Sequence, residues 1–257
     1  MTEGRRLPEA VRKISLHVNI KPRAPASNRL LSALPKKEYQ RLLPELEQVT
    51  LHFSEVLYEP GQRIRHIYFP HDSVVSLLSE VADRSTLEVG IVGNEGVAGV
   101  SVFMGVDTSP HRAIVQGAGT AVRMKASVIR KESDGAGHLH RLLLLYTHSL
   151  LTQVSQSAAC NRFHLVDARL ARWLLMSGDR LGTDEFLLTQ DFISNMLGVR
   201  REGVSKAASL LQKNELINYS RGHIKILDRA GLETVSCECY GILKGESESY
   251  ADKSEAD

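Results

Sequence analysis

The spacing of apolar positions changes character several times along the chain, and each change marks an element. From 28 to 46, Leu30, Leu31 and Leu34, then Tyr39, Leu42 and Leu43, return at helical intervals. The period then drops to two. Val49, Leu51 and Phe53 alternate, Tyr58 to Gln62 (Tyr-Glu-Pro-Gly-Gln) supplies a turn, and Ile67/Phe69, Val75/Leu77 and Leu87/Val89/Ile91 continue the series, which His111 to Gln116 and Ala121 to Met124 complete. Short strands with Gly, Pro and Asp breaks predict a small antiparallel barrel or jelly roll. The run from His138 to Ser177 has no Gly or Pro and is rich in Leu, Ala, Gln and Arg, which predicts a long helix. It carries two apolar seams: Leu143, Tyr146 and Leu150, and beside them Leu144, Leu151, Val154 and Ala158. So broad a face exceeds what packing on one barrel requires, so one side is predicted to cover the β domain and the other to meet a second copy of the chain. Asp167 is predicted to cap a further helix holding Leu170, Trp173 and Leu174, which ends at Gly178.

The most informative stretch is Leu188 to Lys213. Thr189 suits an N-cap and Asp191 the positive end of a helix dipole; Phe192, Ile193, Met196 and Leu197 share one face, and Gly198 ends the helix. A second helix then places Val204, Ala207, Ala208 and Leu211 inward and Arg201, Glu202, Ser205, Lys206, Ser209 and Gln212 outward. Two strand-like runs follow, Leu216 to Ser220 and His223 to Leu227, joined by Arg221-Gly222. Helix, turn, helix, hairpin is the winged helix-turn-helix order. An outer face of guanidinium, amine and amide groups suits a helix lying in a DNA major groove, with Arg221, His223 and Lys225 on the hairpin for phosphates.

Composition adds bounds rather than direction. The chain has 257 residues, enough for one large or two modest domains, and a formal net charge of +2 makes no global case for nucleic acid. The basic, weakly patterned segment 1–27 is predicted to be a flexible arm, and the acidic segment 241–257 a tail. With no secretory h-region and no apolar run of membrane-spanning length, a cytoplasmic protein is expected. Cys160, Cys237 and Cys239 are too few and scattered for a disulfide framework. Cys-Glu-Cys lacks zinc-ribbon spacing and a second pair, so no metal site is expected. Neither a P-loop nor Gly-x-Ser-x-Gly nor a metal-spaced histidine pair is present, and no enzymatic activity is expected.

This order of parts resembles the Crp/Fnr family of bacterial transcription regulators over roughly 28–232, most specifically from Thr189 to Lys206. The resemblance implies an α+β chain: a cyclic-nucleotide-binding-like antiparallel β-roll at 28–136, jelly-roll-like, a dimerisation helix and hinge at 137–178, and a winged helix-turn-helix at 179–240. It implies a homodimer on double-stranded DNA, with RNA polymerase and a small-molecule effector as further partners and no membrane. Thr189, Arg200, Arg201, Glu202, Ser205, Lys206, Arg221 and His223 become the DNA contacts, Lys206 standing where the family's motif has arginine. The family's effector pocket maps to Glu95, Gly96, Val97, Gly99, His111, Arg112, Ala113 and Ser155, but with departures. Val97 stands where cyclic-nucleotide binders have a ribose-holding glutamate. His111 stands at the phosphate arginine, and Arg112, one place later on a strand, is predicted to face away. Cyclic AMP is therefore not the expected effector, and the cofactor stays open. The family's N-terminal iron–sulfur cysteines are absent, since the first cysteine is Cys160; His66, His71 and His111 lie in the roll as lone histidines. The alternative from another class is a nucleotide- or protein-binding signalling module that uses its winged helix for protein contacts.

Overall fold

The computed structural model describes residues 28–81, 85–133, 135 and 137–255; the predicted basic arm lies outside them. The described chain begins with α1 (Arg29–Ser32) and α2 (Lys36–Leu42). It continues through β1 (Glu47–Leu51), β2 (Val56–Tyr58), β3 (His66–Pro70), β4 (Val74–Glu80), β5 (Thr86–Val92), β6 (Arg112–Gly117) and β7 (Gly119–Lys125). These strands make two antiparallel sheets, in the orders β1-β7-β3 and β2-β6-β4-β5. After α3 (Ala126–Ser133) come two long helices, α4 (His138–Phe163) and α5 (Val166–Leu181). The C-terminal part runs β8 (Glu185–Leu187), α6 (Gln190–Leu197), α7 (Arg201–Lys213), β9 (Ile217–Ser220), β10 (His223–Ile226), α8 (Arg229–Val235) and α9 (Cys239–Glu255).

Two apolar cores share the second sheet. Val75 and Leu77 of β4 and Ala113 and Val115 of β6 point into the roll, with Phe69, Met124, and Leu143 and Tyr146 from α4. The alternate positions Val74 and Leu78 face out and pack with Ile91, Trp173 and Leu174, in the same core as Ile193, Val204 and Leu211. Both faces of this sheet are buried, which is why the sequence there reads as an almost unbroken apolar run. Two polar groups on the outward face pair with each other and with α5: Ser76 donates to Gln116 Oε1 at 2.6 Å, and Gln116 Nε2 donates to Ser177 Oγ of α5 at 2.7 Å. Strand β5 is an edge, and its Ile91 meets the Gln153 amide of α4, which accepts from the Ile91 N–H and donates to the Ile91 carbonyl at 3.3 Å. A side chain thus does what a neighbouring strand would.

Three expectations need correction. Asp167 lies in the first turn of α5, whose N-cap is Leu165 without a side-chain bond, so it meets the dipole rather than capping. The same helix continues past Gly178 to Leu181 and ends on Gly182 at φ 65°. Gly178 stays helical with Phe186 packed near it, so a glycine alone did not mark the terminus. The predicted acidic tail is helical to Glu255: Tyr240 and Leu243 are buried, Glu246 meets His148 at 3.2 Å, and α9 packs on α4 and α5.

Candidate nucleic-acid interface and sensor loop

The reading head is built as its sequence dictates. Thr189 Oγ1 accepts from the Phe192 N–H at 3.1 Å, satisfying an amide left free in the first turn of α6. The turn to α7 passes through Gly198 at φ 60°, where a Cβ would come within 2.8 Å of Leu87. Close approach as well as left-handed geometry therefore asks for glycine there. Val204, Ala207, Ala208 and Leu211 are buried, while Arg200, Arg201, Glu202 and Lys206 are exposed at the N-terminal end of α7 and Ser205 is half-buried. Gln212, at the far end of that outer face, accepts from the Tyr219 N–H at 2.7 Å and ties the helix to the hairpin.

The hairpin forms at the predicted place, with His223 opposite Ser220 and both turn residues at positive φ, Arg221 at 49° and Gly222 at 84°. That is the I′ geometry favoured by two-residue hairpins. It carries a third strand that sequence reading missed: β8 pairs with β10, His223 opposite Leu187 and Ile224 opposite Phe186. Three residues are too few to show a period; the only signal was Phe186 next to a turn. A concavity of about 390 Å³ opens between the start of α6, the start of α7 and the hairpin tip, lined by Thr189, Gln190, Asp191, Arg201, Tyr219 and Arg221. Arg201 rests across it, its Nε 3.3 Å from Gln190 Oε1 and 3.6 Å from Asp191 Oδ1. Such an exposed pair is worth about 0–1 kcal/mol, so it holds the guanidinium only weakly.

In the roll, the residues mapped to an effector pocket are largely occupied by one another and by α4 and α5. Gly96 lies against the ring of Tyr146: a Cβ on it would sit 2.0 Å from the ring carbon Cε2. Glu95 is buried and paired with Arg180 of α5 at 2.8 Å, also accepting from the Gly93 N–H at 3.2 Å. Val97 and Ala113 belong to the roll core, and Gly99 turns the chain at φ 99° against Ile67. Arg112 sits on the face opposite Ala113, paired with Glu59 at 2.6 Å and Glu80 at 3.6 Å. His111 is half-buried, and burial lowers its pKa; Ser155 is exposed on α4. The roll histidines do not converge on a common point. Among the described residues, the His, Cys, Asp and Glu side chains close enough to share an ion are Cys160, His164, Cys237 and Cys239, at the α4–α5 hinge.

The described chain is thus a β-roll joined by a long helix to a winged helix-turn-helix, the architecture of the Crp/Fnr regulators it resembles. Residues 168–235 match the Crp-like helix-turn-helix domain, and the chain as a whole has the Crp/Fnr fold. It is similar to a Crp/Fnr-family regulator from Eubacterium rectale (16% identity, 80% of this chain and 96% of that one, TM-score 0.65). It also resembles FixK2 from Bradyrhizobium japonicum (17%, 75% and 98%, TM-score 0.64). A third likeness is the c-di-GMP responsive global regulator CLP of Xanthomonas campestris (15%, 75% and 99%, TM-score 0.60). No curated protein matches the chain in sequence. No described helix is long and apolar enough to cross a membrane.

Proposed function

We propose that the chain is a sequence-specific transcription regulator that binds an inverted-repeat operator as a homodimer, under an effector other than cyclic AMP. The observation that carries the reading is α7: packed through Val204, Ala207, Ala208 and Leu211, it leaves Arg200, Arg201, Glu202 and Lys206 exposed at one end. Arginine can bond O6 and N7 of guanine together, and glutamate can accept from cytosine N4. Lys206 keeps the charge without the fork, so the base beneath it is read more loosely.

Dimerisation is supported by the two seams of α4. Leu143 and Tyr146 are buried on the roll, whereas Leu144 and Leu151, one heptad apart, are 52% and 63% exposed. A second copy would cover them and set two α7 helices one DNA turn apart. Against cyclic AMP stand the Tyr146 ring on Gly96, the engaged Glu95 and the outward Arg112. A buried cyclic phosphate without a partner would cost several kcal/mol.

The test is selection of bound fragments from a random duplex pool, with and without cyclic AMP. The expected result is a two-fold symmetric site enriched equally in both arms. Arg201→Ala is expected to lose about 1–3 kcal/mol at one base pair of that site. Equal loss on every sequence would make Arg201 a phosphate contact; no enrichment in either arm, nor in a third arm supplied with cell extract as a source of effector, would overturn sequence-specific reading by this protein.

A further inference from the structure

Cys160 and His164 are four residues apart at the end of α4 and so lie on one side of it; the His164 N–H donates to the Cys160 carbonyl at 3.1 Å. Cys237, between α8 and α9, and Cys239, the first residue of α9, arrive more than seventy residues later in the chain. The four ligating atoms lie within 4.8 Å of one another, with Cys160 Sγ to Cys237 Sγ and Cys239 Sγ to His164 Nδ1 both 3.5 Å. Around a tetrahedral zinc ion, with Zn–S of about 2.3 Å and Zn–N of about 2.0 Å, donor atoms stand roughly 3.5–3.8 Å apart. We infer that Cys160, His164, Cys237 and Cys239 form a tetrahedral Cys3His zinc site that clamps the hinge between α4 and the reading head.

The surroundings fit that ion in three independent ways. His164 turns Nδ1 toward the sulfurs while its Nε2 lies 3.1 Å from Glu238 Oε1, the middle residue of Cys-Glu-Cys. A carboxylate behind a histidine fixes the ring and its tautomer, as behind metal-bound histidines generally. Gln156 Nε2 donates to Cys239 Sγ at 3.1 Å, a bond that favours thiolate. Finally, Arg169 and Arg172 are each only 6% exposed, their Nε atoms are buried without a hydrogen-bond partner, and both act electrostatically on Cys160, although Arg172 also feels the Glu88 carboxyl. Three thiolates around Zn²⁺ carry one net negative charge, which gives these buried cations a counter-charge. A polynuclear iron–sulfur core would need its ligands spread around a larger body than these four atoms enclose.

The location gives the ion a task. Arg169, beside the cluster, donates through its Nη2 to the carbonyl of Leu197, the last residue of α6. One ion would therefore join the end of α4, the start of α9 and, through Arg169, the helix–turn–helix corner. This places no ligand in the roll and does not require that the protein read DNA.

The full-length protein, purified in reductant, is expected to contain one zinc per chain by elemental analysis and native mass spectrometry. Cys237→Ser and His164→Ala should lose most of it, and His164→Cys should keep it, the last pair deciding the matter if a serine variant fails to fold. Replacement with Co²⁺ should give tetrahedral d–d bands and thiolate charge transfer, stronger in His164→Cys. A chelator should lower the melting temperature of the wild type and leave that of His164→Ala unchanged. Iron with acid-labile sulfide, or no metal after Zn²⁺ is added to the reduced protein, would overturn the assignment. Zinc lost to chelator without a change in melting temperature would overturn the clamp. None of these readouts uses DNA, so the metal site and the regulator reading fail separately.

Discussion

Arg221 holds a left-handed conformation, φ 49°, that glycine or asparagine adopts more cheaply, at the exposed tip of the hairpin. A side chain with a Cβ costs about 1 kcal/mol there, which the turn itself does not require. Arg221→Asn is expected to raise stability by about 0.5–1 kcal/mol in denaturant titration. The same variant should weaken binding to all DNA sequences alike and lower the salt slope by about 1. Glu88 is the second residue under tension. Burial between β5 and α5 pushes its carboxyl pKa up to about 7, against the pull of the Ser76 hydroxyl, of Arg172, of the Trp173 indole N–H, which donates to it at 3.0 Å, and of Arg180. Its Oε2 is buried with no hydrogen-bond partner. Because the folded value lies above the ordinary glutamate value of 4.5, the protonated form favours folding. That contribution is complete below 4.5 and is lost as pH rises through 7, up to about 3 kcal/mol. Melting temperature should fall between pH 5 and 8 in the wild type, and Glu88→Gln should flatten the fall; equal slopes in both proteins would refute the assignment.

Among the elements, α5 is the one that joins the roll to the reading head, and its Arg180 meets Glu95 of the roll at 2.8 Å with both side chains nearly buried. Removing one partner strands the other charge, so Glu95→Gln should cost about 3 kcal/mol in chemical denaturation. Adding Arg180→Leu should recover much of the loss, whereas additive costs would mean that the pair is not coupled. Elements with a strong local signature were legible in the sequence: Thr189 and Gly198 bracket α6, Arg221-Gly222 turns the hairpin, and period two opens strands β3 and β6 of the roll. Elements defined by their partners were not. Strand β8 exists because β10 offers it an edge, and α9 is helical past Lys244 because Tyr240 and Leu243 find α4 and α5. The cluster of Cys160, His164, Cys237 and Cys239 is the extreme case. Cys160-x-x-x-His164 and Cys237-x-Cys239 are each a weak signal, and only the fold of the intervening chain brings them together.

On the scale of the whole molecule, the proposed dimer rests on the exposed seam of α4. Leu151→Asp changes a side chain that is 63% exposed in the single chain, so the fold should survive. Sedimentation should shift from dimer to monomer, and affinity for a two-fold site should fall on the order of 100-fold as linked binding is lost. A dimer that persists would move the interface elsewhere. The head also touches the roll directly: Phe192 lies 5.2 Å from the Phe53 ring, Gly198 packs on Leu87, and Thr86 Oγ1 donates to the Asn195 carbonyl at 3.2 Å. Change in the roll therefore has two routes to α6, across this contact and along α4. The second route is constrained by Gln153, whose amide holds both the N–H and the carbonyl of Ile91. A rod held by two bonds from one side chain cannot travel along its axis without breaking both. What it can pass on is torque, delivered over the three turns between Gln153 and His164.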